Sequence, residues 1–595
     1  MRVLALLLIA ISVASAQIER ATLVGVVTDP SGGAVPNAAV SITNTATNAE
    51  AQVRTDDRGF YASAPLWPGT YRISIQAPGF KTWSREVRLD VNQRAQVDAA
   101  LTVGEISDKV TVTGEAPLLE TQTATLGNVR TEAAIRNLPL NGRNFIQLTW
   151  LAPGVQPGNT SNISNGARGN QSASVNGGRG SANSFLIDGI YDKENSVNGN
   201  IYLPSPDAIE EFKVQTSVAD AQFGHAAGGV VNVMIKSGTN DLHGSLFEFL
   251  RNSALDAKNV FDSPAKPIPP FRLNQFGGTL GGPVVIPARY NGRNKTFFFV
   301  DYQGSRQRKS ASNVTTVPTE AMRTGDFSAI SNTIFDPLSI HPDPADLTGK
   351  NLIRDAFPGN RIPQSRLNPV STAAVALYPS PTLPGVVNNI TTNPAVPFDV
   401  NQMDVRIDQR FGDADSLFGR YSFQDDTRTT PGYFPPPAVG AGPGFPTSAG
   451  DRAQQVAIGW THSFTAAAIN EARAGFTRLG QVSSPITQGT NLAAKLGIPG
   501  VDISPLLSAM TSIYISSYAG LGEGGSVPLV KINNNFQYSD TVMLTHGMHS
   551  LRFGGEILRR QINTFDCPNP LGAFTFNGQF TNRGIGVSTA GTGNA

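Results

Sequence analysis

The sequence predicts a mainly β protein in three parts: an N-terminal β-sandwich, a small α+β domain, and a long antiparallel sheet suited to a membrane barrel. Three observations carry this. Short alternating strands separated by Gly, Pro, Asn and Asp turns fill residues 21 to 102. A glycine-punctuated stretch with short Ile/Val runs follows as far as residue 240. From residue 241 onward longer alternating segments recur, roughly ten of them by the alternation template.

The composition suits turn-rich β structure. Among 595 residues there are 60 Gly and 41 Pro, and charged residues make up 15%, below the usual share of about 25%. Apolar residues still reach 40%, which excludes a disordered chain. A net charge of +1 and the lack of any Lys/Arg cluster exclude a surface that tracks nucleic-acid phosphates.

The first residues read as a secretory signal. Arg2 supplies the positive region, residues 3 to 13 are almost wholly apolar, and Ala14-Ser15-Ala16 fits a cleavage site that leaves Gln17 first. The apolar run is too short to cross a bilayer, which takes roughly 20 residues. No later segment offers a long apolar run either, so a membrane role falls to strands closed into a barrel. The single cysteine, Cys567, cannot form an intrachain disulfide.

In the first part, Leu23 to Val27 begins a strand, and Asp29-Pro30-Ser31-Gly32-Gly33 and Val35-Pro36-Asn37 turn the chain. Tyr71, Ile73 and Ile75 share one face, with Arg72, Ser74 and Gln76 on the other. Val87, Leu89 and Val91 alternate to the end. With Thr55-Asp56, Gly59-Phe60-Tyr61 and Pro68-Gly69-Thr70-Tyr71, this unit resembles the carboxypeptidase regulatory-like, transthyretin-like domain. That fold is often grouped with carbohydrate-binding-like folds, a grouping that does not by itself establish sugar binding.

Residues 103 to 125 read as an extended connector. Within it Lys109-Val110-Thr111-Val112-Thr113 has strong β-propensity and no evident partner strand.

Residues 126 to 240 carry the most specific pattern. It runs through Asn137-Leu138-Pro139-Leu140-Asn141-Gly142-Arg143-Asn144-Phe145, then Ser174-Val175-Asn176-Gly177-Gly178-Arg179 and Phe185-Leu186-Ile187-Asp188-Gly189. It ends in Gly228-Gly229-Val230-Val231-Asn232, just before His243-Gly244-Ser245-Leu246-Phe247. In order and spacing this resembles the plug of TonB-dependent outer-membrane receptors and its junction with the barrel. The whole layout resembles the adhesion-type subgroup with an N-terminal regulatory-like domain. Read from the residues, Asp188-Gly189 is a turn after a buried strand, and Asp188 is a turn former rather than a ligand residue. Arg143 and Arg179 either pair with acidic groups on a barrel wall or are solvated.

The clearest hairpin spans residues 402 to 424. Met403, Val405, Ile407 and Phe411 lie on one face, and Gln402, Asp404, Arg406, Asp408 and Arg410 on the other. The turn is Gly412-Asp413-Ala414-Asp415, and Leu417, Gly419, Tyr421 and Phe423 oppose Ser416, Arg420, Ser422 and Gln424. Such arms suit membrane strands with apolar residues outward. Three further stripes read the same way: Val456, Ile458, Trp460; Phe536, Tyr538, Val542; and Leu551, Phe553, Ile557. Residues 305 to 400 form a long Pro-rich insertion, expected outside the cell. Two motifs within it, Arg323-Thr324-Gly325-Asp326-Phe327-Ser328 and Phe357-Pro358-Gly359-Asn360-Arg361-Ile362-Pro363, also resemble the receptor subgroup.

The expected division is a signal peptide (1–16), regulatory-like sandwich (17–102), linker (103–125), plug (126–240) and the N-terminal part of a barrel (241–595). The family barrel has about 22 strands, and residues 584 to 595 do not read as a closing strand. The chain is therefore expected to be a fragment, unable to insert as it stands.

The resemblance implies an outer-membrane receptor or transporter driven by the TonB-ExbB-ExbD complex, embedded in outer-membrane lipid. Lys109 to Thr113 becomes a candidate TonB contact by strand addition, or else the last strand or linker of the sandwich. The extracellular ligand is open: siderophore, cobalamin, oligosaccharide and peptide all fit the layout. Two rival readings are a surface adhesion or matrix-assembly protein of the same architecture, and a soluble exported carbohydrate-binding protein.

No phosphate loop, His-Glu-x-x-His, Cys-x-x-Cys or nucleophile elbow is present, so neither an enzyme, a cofactor nor a metal site is expected. His546 and His549 flank a turn, and Asp425-Asp426 sit at a strand end without need of a catalytic role.

Overall fold

A computed structural model describes residues 20–585, apart from 92, 113–125, 159–172, 195–198, 218–221, 225, 259–267, 311, 441–445, 466 and 547–548. The signal-sequence residues Ala14, Ala16 and Gln17 and the connector residue Thr113 lie outside the described residues.

The N-terminal unit is a sandwich of two sheets. Strands β1 (Thr22–Thr28), β4 (Phe60–Ala62), β7 (Arg94–Gln96) and β8 (Ala99–Ala100) form one sheet. The other has the order β3-β2-β5-β6-β9, from β2 (Ala39–Asn44), β3 (Glu50–Arg54), β5 (Gly69–Gln76), β6 (Thr82–Leu89) and β9 (Lys109–Val112). Side chains at alternate positions, among them Leu23, Val27, Val40, Ile42, Tyr71, Ile73 and Ile75, fill the space between them. The turns form for local reasons. The Asp29 carboxylate accepts from the amides of Ser31 and Gly33, and Asp56 accepts from those of Arg58 and Phe60.

One expectation is corrected here. Lys109 to Val112 has a partner: it runs parallel to β6, with Thr82 opposite Lys109 and Arg85 opposite Val112. The sandwich sheet thus continues past residue 102, and β9 is its edge strand. The pairing was hidden because a parallel partner lies far back in the chain, beyond an intervening sheet crossing.

The plug is a five-stranded sheet of order β10-β15-β16-β13-β14. Its strands are β10 (Leu126–Thr131), β13 (Ser184–Ile187), β14 (Ile190–Tyr191), β15 (Ile209–Ser217) and β16 (Val230–Ile235), with a small pair β11 (Val155–Pro157) and β12 (Ala173–Val175) alongside. One face is apolar and packs Phe185, Ile187, Phe212, Val231 and Val233 against Ile135, Phe145, Ile146 and Leu148. Those last four come from the short helix Glu132–Asn137 and the 3-10 turn Phe145–Leu151, whose first turn is capped by the Asn144 side chain at the Ile146 amide.

Nine antiparallel strands follow as a meander: β17 (His243–Asn252), β18 (Phe271–Pro283), β19 (Thr296–Ser310), β20 (Ala395–Phe411), β21 (Asp415–Thr430), β22 (Thr447–Thr465), β23 (Ala468–Ser484), β24 (Leu529–His546) and β25 (His549–Asp566). The sheet does not close on itself. Its burial is inside-out relative to a soluble protein. In β20, Asp404 and Arg406 are buried while Ile407 is half exposed, and in β25 Ile557 is 69% exposed. Apolar side chains face outward and polar ones face the plug, the alternation of a membrane barrel wall. No described helix is long and apolar enough to cross a membrane, which does not bear on strands.

The long insertion is shorter and more ordered than expected. β19 runs to Ser310 and β20 begins at Ala395. Between them the chain builds short helices, Glu320–Arg323 and Pro369–Val375, and most of a small hydrophobic core that Tyr518 completes.

Candidate functional site

The plug is locked into the wall at the turn between β13 and β14. Asp188 adopts φ 48° and Gly189 φ 75°, conformations that a tight hairpin needs. A Cβ on Gly189 would stand 1.7 Å from Nη1 of Arg473, so the site also requires the absence of a side chain there. The Asp188 carboxylate accepts from Nε of Arg420 at 2.6 Å and Nη1 of Arg406 at 3.3 Å. It also accepts from the Ile235 amide at 3.2 Å, tying the turn to β16. All three charged side chains are almost wholly buried. The expectation that Asp188 is a turn former holds, and the structure adds a second role as the buried counter-ion of two wall arginines.

Neighbouring acids balance the remaining positive charge. Arg406 pairs with Asp408 at 2.9 Å, Arg473 with Glu471 at 2.7 Å, and Arg420 lies 3.7 Å from Asp404. The plug reaches back through Tyr202, whose hydroxyl donates to Asp404 at 2.5 Å. Gln455 of β22 donates to Asp192, Gln537 of β24 donates to the Gly189 carbonyl and accepts from the Tyr191 amide, and Asn535 donates to the Lys193 carbonyl. Gly475 of β23 leaves room for Ile190, which would lie 2.6 Å from a Cβ at that position. Plug and wall are thus joined by a polar network with most of its members satisfied, a geometry that fixes register more than it adds net stability.

The other plug-motif residues fall nearby. Arg143 takes neither of its two expected fates. It pairs with Asp207 of the plug itself, donates to Gln303 of β19 at 2.8 Å, and lies 4.1 Å over the Phe247 ring. The Gly142 carbonyl accepts from Gln275 of β18, and the Asn141 amide donates to Gln147. Arg179 is exposed, as one of its alternatives held. Gly228 and Gly229 serve close approach: a Cβ would meet Asn183 Oδ1 at 2.3 Å and Val175 Cγ2 at 2.8 Å. Asn232 is buried opposite Lys213.

Sequence reasoning placed Arg406 and Arg420 on the polar face and did not single out either one, nor Arg473. Their signal was an arginine recurring at inward positions of adjacent strands, with Arg406 directly opposite Arg420. Asp425 pairs with Arg452 and Asp426 accepts from Gln424. His546 and His549 are cross-strand partners at the β24–β25 hairpin. Among the described residues no group of three or more His, Cys, Asp or Glu is arranged to hold a metal.

At the far end of the wall the long connections form a cap. The two loop motifs meet there: the Asn360 side chain donates to the Phe327 carbonyl, the Ile362 amide to that of Gly325, and Arg361 pairs with Asp326 at 3.1 Å. Beside them opens a cavity of about 520 Å³ lined by Phe327, Phe357, Ile362, Tyr518, Phe574 and Phe576. Its arginines are already engaged, Arg366 with Asp336 at 2.6 Å and Arg323 with Glu320 at 3.5 Å.

Comparison with known proteins agrees in each part of the chain. Residues 22–102 match the carboxypeptidase regulatory-like domain, 122–231 the TonB-dependent receptor plug domain, and 234–594 the outer membrane beta barrel domain. The chain belongs to the TonB-dependent receptors. The TonB-dependent transporter Oar of Myxococcus xanthus is 27% identical over 409 residues, covering 63% of this chain and 35% of that protein. Among solved structures, the outer membrane transporter YddB of Escherichia coli shares 11% identity, with a TM-score of 0.46 over 74% of this chain and 48% of its own. A ferric enterobactin receptor (PfeA) variant of Pseudomonas aeruginosa shares 13%, with a TM-score of 0.40 over 75% and 50%. The chain therefore spans about a third of the curated relative and half of these structures.

Proposed function

We propose that the complete protein is a TonB-dependent outer-membrane receptor that captures an extracellular ligand at its cap and passes it inward when the plug moves. The observation that carries this is the Asp188 lock, a plug held in a polar wall by ion pairs that can be broken and remade. Energy would come from the TonB-ExbB-ExbD complex acting on the chain before the plug. The edge strand β9 is exposed and leaves one side of its backbone open for strand addition, which supports a TonB contact at Lys109 to Val112 and onward. The cap cavity is apolar and its cations are neutralised within the protein. That favours an apolar or aromatic group on the ligand over a bare anion. An oligosaccharide would have to stack its apolar ring faces on these aromatics.

Export would follow cleavage after Ala16. The first experiment is fractionation of the complete protein in its own host, with and without a functional TonB gene, together with N-terminal sequencing. Recovery in the outer membrane beginning at Gln17, and crosslinking of TonB to residues 109–125, are the expected results. Recovery as a soluble periplasmic protein would overturn the reading and favour the exported carbohydrate-binding alternative. The ordered cap also suits adhesion without import. Loss of surface attachment in a deletion strain that needs no TonB would favour that reading.

A further inference from the structure

We propose that the N-terminal sandwich is a latch, docked across the inner mouth of the barrel, which must undock before the plug can move. This deepens the receptor reading and rests on it. The short turns of the wall, at residues 412–414 and between β22 and β23, mark the periplasmic end, and the long connections mark the outside. The sandwich contacts the short-turn end. The Ala46 carbonyl accepts from the Asn240 amide at 3.0 Å, and Asn48 donates to Asn294 at 3.2 Å, just before β19. Arg20 bonds Thr461 and lies 3.7 Å from Glu471.

The sandwich also grips the plug directly. Arg88 reaches Glu211 of β15 at 3.2 Å, and the Val91 amide donates to the same carboxyl group. Trp67 stands edge-on to Phe418 of β21, ring centroids 5.6 Å apart. The guanidinium of Arg406 lies 5.1 Å from the Trp67 ring while donating to Asp188 and to the Ile235 carbonyl of the plug. One wall arginine therefore touches sandwich and plug at once. Loss of the indole face leaves that guanidinium freer to turn from Asp188.

Two features give the contact the character of a latch and not of permanent packing. The first is a gap of about 800 Å³, open to solvent on one side, between sandwich, plug and wall, lined by Trp67, Arg88, Glu210, Arg406 and Asp415 among others. An interface meant to stay shut would fill such a space. The charged side chains that line it, Arg88, Glu210, Arg406 and Asp415, let water into part of the interface before the domains separate. The second is the chain path. Residues 113–125 run from the edge strand of the sandwich, β9, to the edge strand of the plug, β10, so tension applied there loads both. Only four residue pairs hold β9 to β6, and the plug sits behind the domain they belong to.

The test pulls on a handle attached within residues 113–125 of the complete receptor in lipid nanodiscs, and reads the force at which the plug first extends. In a Cys567→Ser background, Asn48→Cys with Asn294→Cys is joined by a short bis-methanethiosulfonate linker that reductant cleaves. The expected result is efficient crosslinking, a shift of first extension to higher force, and return to the starting force after reduction. Trp67→Ala combined with Arg88→Ala should shift it to lower force. No crosslink in the intact protein, or one first-extension force for all three states, would overturn the latch. The measurement needs neither TonB nor ligand. Failure here leaves the receptor reading standing, and failure of that reading in fractionation is seen separately.

Discussion

Asp188 of the plug and Arg420 of the barrel wall meet at 2.6 Å, with neither side chain exposed to solvent. They lie 232 residues apart in sequence. Removing one charge of such a pair strands the other in a poorly hydrated site, a loss of about 3–5 kcal/mol. Asp188→Asn should therefore loosen the plug while the wall still folds. The expected outcome is plug unfolding at lower urea than in the parent, read by hydrogen exchange of β13 and β16, with β20 to β23 protected as before. Because Arg406 and Arg420 share one partner, Arg420→Met added to Asp188→Asn should cost less than the two single changes summed.

Gly189 allows a sharper test of the same turn. Its φ of 75° and the nearness of Arg473 both oppose a side chain. Backbone strain alone costs on the order of 1–3 kcal/mol, and displacement of Arg473 from the Asp188 carbonyl adds to it. Gly189→Val should release the plug as readily as Asp188→Asn, whereas Gly224→Ala, with open space around it, should change nothing measurable.

Docking of the sandwich should depend on pH through Glu211. Burial first, and then the Asp90 carboxylate, push this group up to about 8, against the pull of Arg88 and the Val91 amide; Glu210 adds to the rise. The docked form holds a proton that the separated form, with an ordinary carboxyl near 4.5, gives up. The contribution of Glu211 to docking is thus full below about 4.5 and is lost as pH rises through about 8. Crosslinking between positions 48 and 294, normalised at each pH to the reaction of an exposed cysteine with the same reagent, should fall from pH 5 to pH 8.5 in the parent. In Glu211→Gln it should stay nearly level across that range. A parent without pH dependence would remove Glu211 from this account.

In the cap, Phe357 is buried with Met322, Phe327 and Ile334. Phe357→Ala should cost roughly 3–5 kcal/mol by cavity formation. The loss should stay local, because this core is separate from the plug and wall. Hydrogen exchange should quicken across residues 320–362 with the wall strands unaffected. Loss of wall protection would show that the cap is coupled to the barrel.

Much of this was legible in the residues. Period-two alternation around Asp404, Arg406 and Arg420 set the faces of β20 and β21 correctly, since a strand offers its side chains only two directions. Asp188-Gly189 announced a turn because its chemistry is local. What stayed hidden was partnership over distance. Nothing near Asp188 in the sequence names Arg420, and nothing near Lys109 names Thr82. Phe418 was missed as an inward residue because it is an aromatic among polar neighbours, placed there to meet Trp67. The core inside the Pro-rich connection went unread because it is assembled from separate stretches, Met322 and Phe357 meeting Tyr518.

The wall that grips the plug is rich in arginine, aspartate, glutamate, glutamine and asparagine, with a few apolar residues among them. If the plug withdraws as proposed, these same groups would face a bore that is already largely wettable. Water can take the place of each lost ion pair, and the apolar surface laid bare on the wall is confined to a few residues such as Phe299, Leu479 and Phe418. The passage so formed would be a hydrophilic conduit carrying both signs of charge, hospitable to a hydrated cargo whichever sign it bears.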